Sequence, residues 1–399
     1  MNTLVLRPGH QILDYSLFRG KKPQPFIEGR LENYRGTDGC HDVVAAIASQ
    51  VSDLDAVAVR AVYGGDRFQQ AVIVTDDTLR QVEGLMPQAP LHVSVLLPLL
   101  RQCQEQLPTV PAILVFETAF FTGLPSREYL YALDTELPQM QGIRRYGFHG
   151  ILHEAACRET VRRHRAERLP ETPLILSICL EPRPELAAVC GLQPVMVTSG
   201  ATPLEGLPGQ TSCGELDPAI VIALACEHGW GAEQINTVLT QESGLKGLTG
   251  ESVTLPQLYE NESASTRLAR DLFQYRLLQA CGAGMAAMGG VDAIVFSGRF
   301  VSLGITLSAW LQSQPLFQHT SRRRLPSIRF YQRSVSRVIA DEATSACMAT
   351  ELETAARSSA DADGDASTQK PAQSPSGDPA APAAQSPRFC SGGCWISCG

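Results

Sequence analysis

The chain has no apolar run near the roughly 18 residues needed to cross a bilayer as a helix, so no transmembrane helix is expected. It has no surplus of positive charge. Against 33 Lys+Arg stand 41 Asp+Glu, a net charge of −8. No broad basic field is available for a nucleic-acid backbone, so nucleic acid is excluded as a partner. Met1–Leu6 lacks a basic n-region and a long apolar h-region, so no signal peptide is expected and a cytoplasmic protein is the default. A Walker A sequence is absent. So are CxxC pairs: of 12 cysteines, nine are scattered through residues 1–357. In a reducing compartment most of these should be small buried apolar residues.

What is present is an ordinary globular composition. The chain has 399 residues, 44% hydrophobic and 19% charged, which is long enough for two domains. Composition breaks near Arg357. Residues 358–388 are mostly Ala, Ser, Pro, Asp and Gly with no large apolar side chain, which predicts a disordered linker. The end, residues 389–399, is a Cys-rich tail with Cys390, Cys394 and Cys398 four apart. These thiols could bind a soft metal or cluster, act in redox chemistry, or have no role.

Within the body, apolar runs at Thr3–Leu6, Ala56–Val62, Ala71–Val74, Ala112–Phe116, Leu174–Leu180 and Ala293–Phe296 predict buried strands. Helical patterns cover 42–51, 77–85, 93–106, 153–165, 218–228, 232–239, 266–288 and 341–357. Strands alternating with helices imply an α/β fold. Gly282 and Gly284 lie inside a helical pattern, which reads as close helix packing, not a dinucleotide loop.

Several segments carry a more specific signal. Phe116–Pro125 (FETAFFTGLP), Tyr129–Leu133 (YLYAL), Gly142–Gly150 (GIRRYGFHG) and Thr202–Leu207 (TPLEGL) resemble acetate kinase. So do Cys213–Gly214 and Asp217–Ile220. Weaker matches run from Arg60–Gly65 to Val291–Ala293 in the family's order, over residues 1 to about 350. The resemblance implies a two-domain actin-like fold of duplicated ribonuclease-H-like units with a cleft between them. It places the first domain at residues 1–118 plus 343–357 and the second at 119–342. It also implies ATP, Mg²⁺, a short carboxylate such as acetate or propionate, and a homodimer.

By the same resemblance, Arg60 contacts the carboxylate and the moving phosphoryl group, His149 bonds the transition state, and Glu117 stands where the family has an Asp near nucleophile and metal. Val62, Leu91, Phe148 and Pro203 match the methyl pocket. His92 and Glu342 fall on active-site positions, with Glu117 and Glu342 near the metal. A small apolar pocket beside an arginine suits a short carboxylate, whose methyl favours burial and whose head pairs with a planar cation. The same residues could equally be packing.

Other family positions carry different chemistry. The opening Asn-x-Gly-Ser-x-Ser-x-Lys turn reads Arg7–Asp14 (RPGHQILD), keeping only Gly9. Asp14 near a polyphosphate is repulsive unless Mg²⁺ or Arg7 screens it. The second phosphate loop, His-x-Gly-Asn-Gly, reads Cys179–Arg183 (CLEPR), where Pro182 lacks an N–H altogether. The second catalytic arginine falls at Ser212, the Asp-x-Arg pair at Thr254–Pro256, and the adenosine loop at Ser297–Val301. The resemblance thus implies an ATP-dependent carboxylate phosphotransferase with weakened or lost catalysis. The alternatives are an active kinase in which Arg7, Arg183 or Arg299 rebuilds the site, and a redox or metal protein working through its tail.

Overall fold

A computed structural model of the chain describes residues 1–9, 11–34, 43–50, 53–134, 136, 142–167, 172–318 and 325–364. The chain falls into two units, Met1–Glu351 and Leu352–Gly399. Only helical residues up to Gly364 are described in the second unit. Cys390, Cys394, Cys398 and most of the expected linker lie outside the described residues.

Eleven strands are described: β1 (Asn2–Pro8), β2 (Ile12–Arg19), β3 (Ile27–Glu32), β4 (Ala56–Ala61), β5 (Val72–Ile73), β6 (Ala112–Phe116), β7 (Leu174–Cys179), β8 (Glu185–Cys190), β9 (Gln193–Val197), β10 (Ala293–Ser297) and β11 (Ser327–Phe330). They form two mixed sheets, ordered β3-β2-β1-β4-β6-β5 and β11-β10-β7-β8-β9. In the first, β1, β2 and β3 are an antiparallel meander, with β4 parallel to β1 and β6 parallel to β4. In the second, β7, β8 and β9 meander, with β10 parallel to β7 and β11 parallel to β10. The two sheets repeat one topology.

Period-two alternation sorts each strand between two cores. On β4, Val57, Val59 and Ala61 face one cluster and Ala56 and Ala58 the other. On β7, Leu176 and Ile178 face one cluster and Ile175 the other. The helices Asp76–Glu83 and Pro90–Gln106 cover the first sheet's outer face, and Ala264–Met288 covers the second's. Between the sheets lies the helix Gly150–Ala166. Its Ile151 and Leu152 pack with Val5, Ala58 and Val115, while Ala156, Cys157 and Val161 pack with Ile175, Ala187 and Val295. Burying such side chains stabilises by roughly 1.5–3 kcal/mol for each large one. This helix therefore joins the two sheets and places its N-cap residue, His149, beside the strand ends.

The six expected strands are all present, with end shifts of a residue or two. The central helix begins at Gly150, three residues before its expected start. The last helix spans Val335–Gly364, longer at both ends than expected and running into the first residues of the expected linker. Two of the seven residues beyond Arg357 are alanines, which favour helix. Among the described cysteines, Cys103, Cys157, Cys179, Cys281 and Cys347 are buried, as expected, and Cys226 is exposed. Burial pushes the Cys103, Cys157 and Cys281 thiols up to about 12, so they are packing groups, not nucleophiles.

Candidate functional site

Parallel strands β4 and β6 end side by side, with Ala61 opposite Phe116. The C-terminal ends of parallel strands are where α/β folds hold ligands. Arg60 is the penultimate residue of β4 and Glu117 directly follows β6. Arg60 Nε donates to Glu117 Oε1 at 2.6 Å. The Glu117 side chain is 2% exposed and that of Arg60 24%, so a buried carboxylate depends on a cation that still reaches the cavity. Glu117 Oε2 also accepts the Ile151 N–H at 3.4 Å.

Arg60, Glu117 and His149 line one cavity of about 350 Å³. Arg7, Asp14 and Arg30 line it from the meander, and Glu181 and Arg299 from the loops after β7 and β10. Each carboxylate in it has an arginine. Arg30 donates twice to Asp14, Nε to Oδ1 at 2.7 Å and Nη2 to Oδ2 at 3.2 Å. Arg7 Nη2 adds a third donor at 3.3 Å. Arg299 Nε lies 3.7 Å from Glu181 Oε2. Asp14, read from the sequence as a repulsive group, is thus screened by two guanidinium groups. Burial lowers the Arg7 pKa, opposed by Asp14 and Glu181 and reinforced by Arg60 and Arg299. With four arginines against three acids, the cavity favours an anion.

A smaller pocket of about 20 Å³ shares Arg60 and is lined by Val62, Leu91 and His92. Leu91 is 62% exposed, so it forms the pocket's open rim. Phe148 is buried in the core cluster that Val62 packs against. Pro203 lines neither cavity. Glu342 lines neither; its Oε1 accepts from Arg158 at 2.6 Å, and Arg158 also holds Glu154. Arg183 lines neither, but its carbonyl oxygen accepts a bond from His149 Nε2 at 2.9 Å.

The loops that resemble phosphate-binding turns are closed on themselves. Gly9 donates its N–H to Ile12 O at 2.8 Å. The Arg299 N–H donates to Glu181 Oε1 at 2.8 Å, which ties the loop after β10 to the loop after β7. Gly298 there has φ +91, and a Cβ would strike the Leu180 backbone, so only glycine fits. Ser212, where the resemblance puts a second arginine, is buried and carries no charge.

For Mg²⁺ and ATP, the donor set fits poorly. Glu117 Oε1 is taken by Arg60, and Glu342 is engaged with Arg158. Among the described residues, no three His, Cys, Asp or Glu side chains cluster to hold a metal ion. Two amides of the loops at the phosphate-binding positions, those of Gly9 and Arg299, are already bonded within the protein.

Two further residues matter that the sequence did not disclose. Arg30 sits on β3 directly opposite Asp14 on β2, a pairing that only the strand register reveals. Glu185 opens β8 and is fully buried. Its one sequence signal is a carboxylate at the head of an apolar run, LAAV.

Comparison with known proteins agrees with this geometry. A family profile described as the acetokinase family matches residues 40–302. The match therefore begins after β3, so Arg7, Asp14 and Arg30 lie outside it. The acetate kinase of Halothermothrix orenii is 32% identical over 335 residues, covering 74% of this chain and 83% of that protein. That of Alkaliphilus metalliredigens is 38% identical over 284 residues, 69% of this chain and 71% of that one. Among solved structures, Porphyromonas gingivalis acetate kinase superposes with a TM-score of 0.77 at 26% identity, covering 87% of this chain and 99% of the other. A propionate kinase of Francisella tularensis shares the fold, with a TM-score of 0.75 at 23% identity over 86% and 99% of the two chains. With its two mixed sheets in the actin-like arrangement and its motifs in order, the chain belongs to the acetokinase family.

Proposed function

We propose that this family member binds a short carboxylate, acetate or propionate, at Arg60, and that phosphoryl transfer from ATP is weakened or lost. The carboxylate head pairs with the part of Arg60 that Glu117 leaves open, and the alkyl end enters the pocket of Val62, Leu91 and His92. The observation that carries the second half is the closure of the phosphate-facing loops: the Gly9 and Arg299 amides are bonded within the protein. A polyphosphate that took these amides would have to displace the Ile12 carbonyl and the Glu181 carboxylate, at about 0.5–1.5 kcal/mol for each bond. Glu117 with Arg60, and Glu342 with Arg158, are not arranged for Mg²⁺.

A second reading has its own support. Arg7 and Arg299 line the cavity with Arg60, so an active kinase could use them in place of the missing donors. Calorimetry with Mg·ATP and Mg·ADP, beside an acetate or propionate phosphorylation assay, separates the two. Millimolar or no nucleotide affinity with retained carboxylate binding supports the first. Turnover abolished by Arg60→Ala supports the second.

Two coarser expectations complete the reading. Among the described residues no helix is long and apolar enough to cross a membrane, which suits a cytoplasmic protein. The helix Pro218–Cys226 (PAIVIALAC) is apolar throughout with no buried residue. Ile220 and Ile222 are 46% and 62% exposed, which suits a homodimer face.

A further inference from the structure

We propose that Glu185 is a positioning residue for His149: from the start of β8 it grips the peptide that carries this histidine and leaves one ring nitrogen to the cavity. The inference rests on the reading that His149 meets the ligand, and it adds a residue outside the motifs that identify the family.

Glu185 is 0% exposed, where an isolated carboxylate would be prohibitively costly. It is surrounded by donors instead. Oε2 accepts the Phe148 N–H at 2.9 Å and Oε1 the His149 N–H at 3.0 Å. His153 Nε2 lies 3.2 Å from Oε1. Burial alone would raise the Glu185 pKa. The nearby rings of His153 and His149 and the Ser199 hydroxyl outweigh it and hold the group well below the usual carboxylate range. It therefore stays ionised in the interior.

The grip is anchored in the second sheet. Glu185 is held opposite Cys179 by the antiparallel β7–β8 ladder. His153, also fully buried, bonds through Nδ1 to Ser177 Oγ on β7 at 2.8 Å. The gripped peptide immediately precedes the helix Gly150–Ala166, where backbone N–H groups lack intrahelical partners and favour a negative charge. Arg60 and Glu117 come from the first sheet, so Glu185 adds a direct tie between the His149 peptide and the second.

The ring follows from the same strand lead-in. His149 Nε2 is 2.9 Å from the carbonyl oxygen of Arg183, two residues before Glu185. A carbonyl only accepts, so Nε2 carries the hydrogen. Nδ1 is the remaining nitrogen, on a side chain that lines the cavity. In the neutral ring it is an acceptor; in the doubly protonated ring it donates to an oxyanion. Partners that fix a histidine's tautomer in this way set what the ring can do. Without Glu185 the Phe148–His149 peptide loses its acceptor, and the ring loses its fixed distance to Arg183.

The test is ¹⁵N ring spectroscopy of His149 in the full chain, with acetate as the binding probe. The wild-type protein is expected to show the Nε2–H tautomer and a His149 amide that exchanges slowly. Glu185→Gln is expected to give mixed tautomers in the folded protein and to weaken acetate binding by about tenfold. A purely structural role would lower the melting temperature and leave the tautomer and affinity as they were, which overturns the proposal. Should Glu185→Gln not fold, the wild-type spectra decide: an Nδ1–H tautomer or a fast-exchanging His149 amide overturns it. If acetate does not bind at all, the carboxylate reading fails while the tautomer measurement still tests Glu185.

Discussion

Replacing Arg60 by alanine should damage the protein's stability as well as its binding. Glu117 is 2% exposed and Arg60 Nε is its partner at 2.6 Å. Breaking a buried ion pair by removing one member costs about 3–5 kcal/mol, because the other charge is stranded. Here the Arg60 side chain is 24% exposed, so water can enter the vacated space and the figure drops to about 2–4 kcal/mol. The remaining amide donor, from Ile151 at 3.4 Å, is too long to compensate. Glu117→Gln should cost less, about 1–2 kcal/mol, since it removes the charge but keeps the shape. The double variant should then lie near the Glu117→Gln value, with a coupling energy as large as the Arg60→Ala cost, about 2–4 kcal/mol. Urea unfolding followed by circular dichroism measures all three at constant slope. Effects that add within about 0.5 kcal/mol would refute the view that the buried Glu117 carboxylate depends on Arg60 as its partner. The cycle also has a practical use. Carboxylate binding by Arg60→Ala should be compared in the Glu117→Gln background, where the stranded charge no longer confuses the result.

Asp14→Asn should free Arg7 and Arg30 and raise the affinity for inorganic phosphate about three- to tenfold by calorimetry; no change would mean that this cavity does not hold the anion. The ionised Glu185 should shape acid unfolding. Its pKa is depressed to about 2, so its contribution is present above the ordinary value of 4.5 and is lost as pH falls toward 2. Stability of the wild type should therefore decline in that window by up to about 1.4 kcal/mol per pH unit for this group, and the difference from Glu185→Gln should shrink there. Gly150→Ala should cost at least about 3 kcal/mol in urea unfolding, because its Cβ would fall on the Glu117 carbonyl oxygen that accepts the Gly150 N–H. Ile222→Glu should turn a dimer into a monomer in light scattering if the helix Pro218–Cys226 is the dimer face; an unchanged mass would remove that assignment.

Some of this was legible residue by residue. Buried central strands such as β4, β6, β7 and β10 are short apolar runs, and a run announces itself without its partners. The strands β2, β3, β8, β9 and β11 were not foreseen. The β3 sequence IEGRLE and the Ala-containing β8 sequence ELAAVC have little strand character of their own and are made by pairing. The repeated topology of the two sheets was legible only through the family resemblance, which implied duplicated units, because it resides in strand order and not in a sequence period.

The sequence by itself determined the family and the side-chain chemistry at each matched position: Arg60, His149, the apolar pocket residues, and the isoleucine, proline and acids where phosphate ligands are usual. The tertiary structure decided what those acids do. Asp14, Glu117 and Glu181 each face an arginine, brought there by a cross-strand register, by adjacent strand ends or by a loop contact. Glu185, 36 residues after His149, reaches it only through the second sheet. A charge's effect depends on what lies within a few ångströms, and those neighbours come from elements distant along the chain.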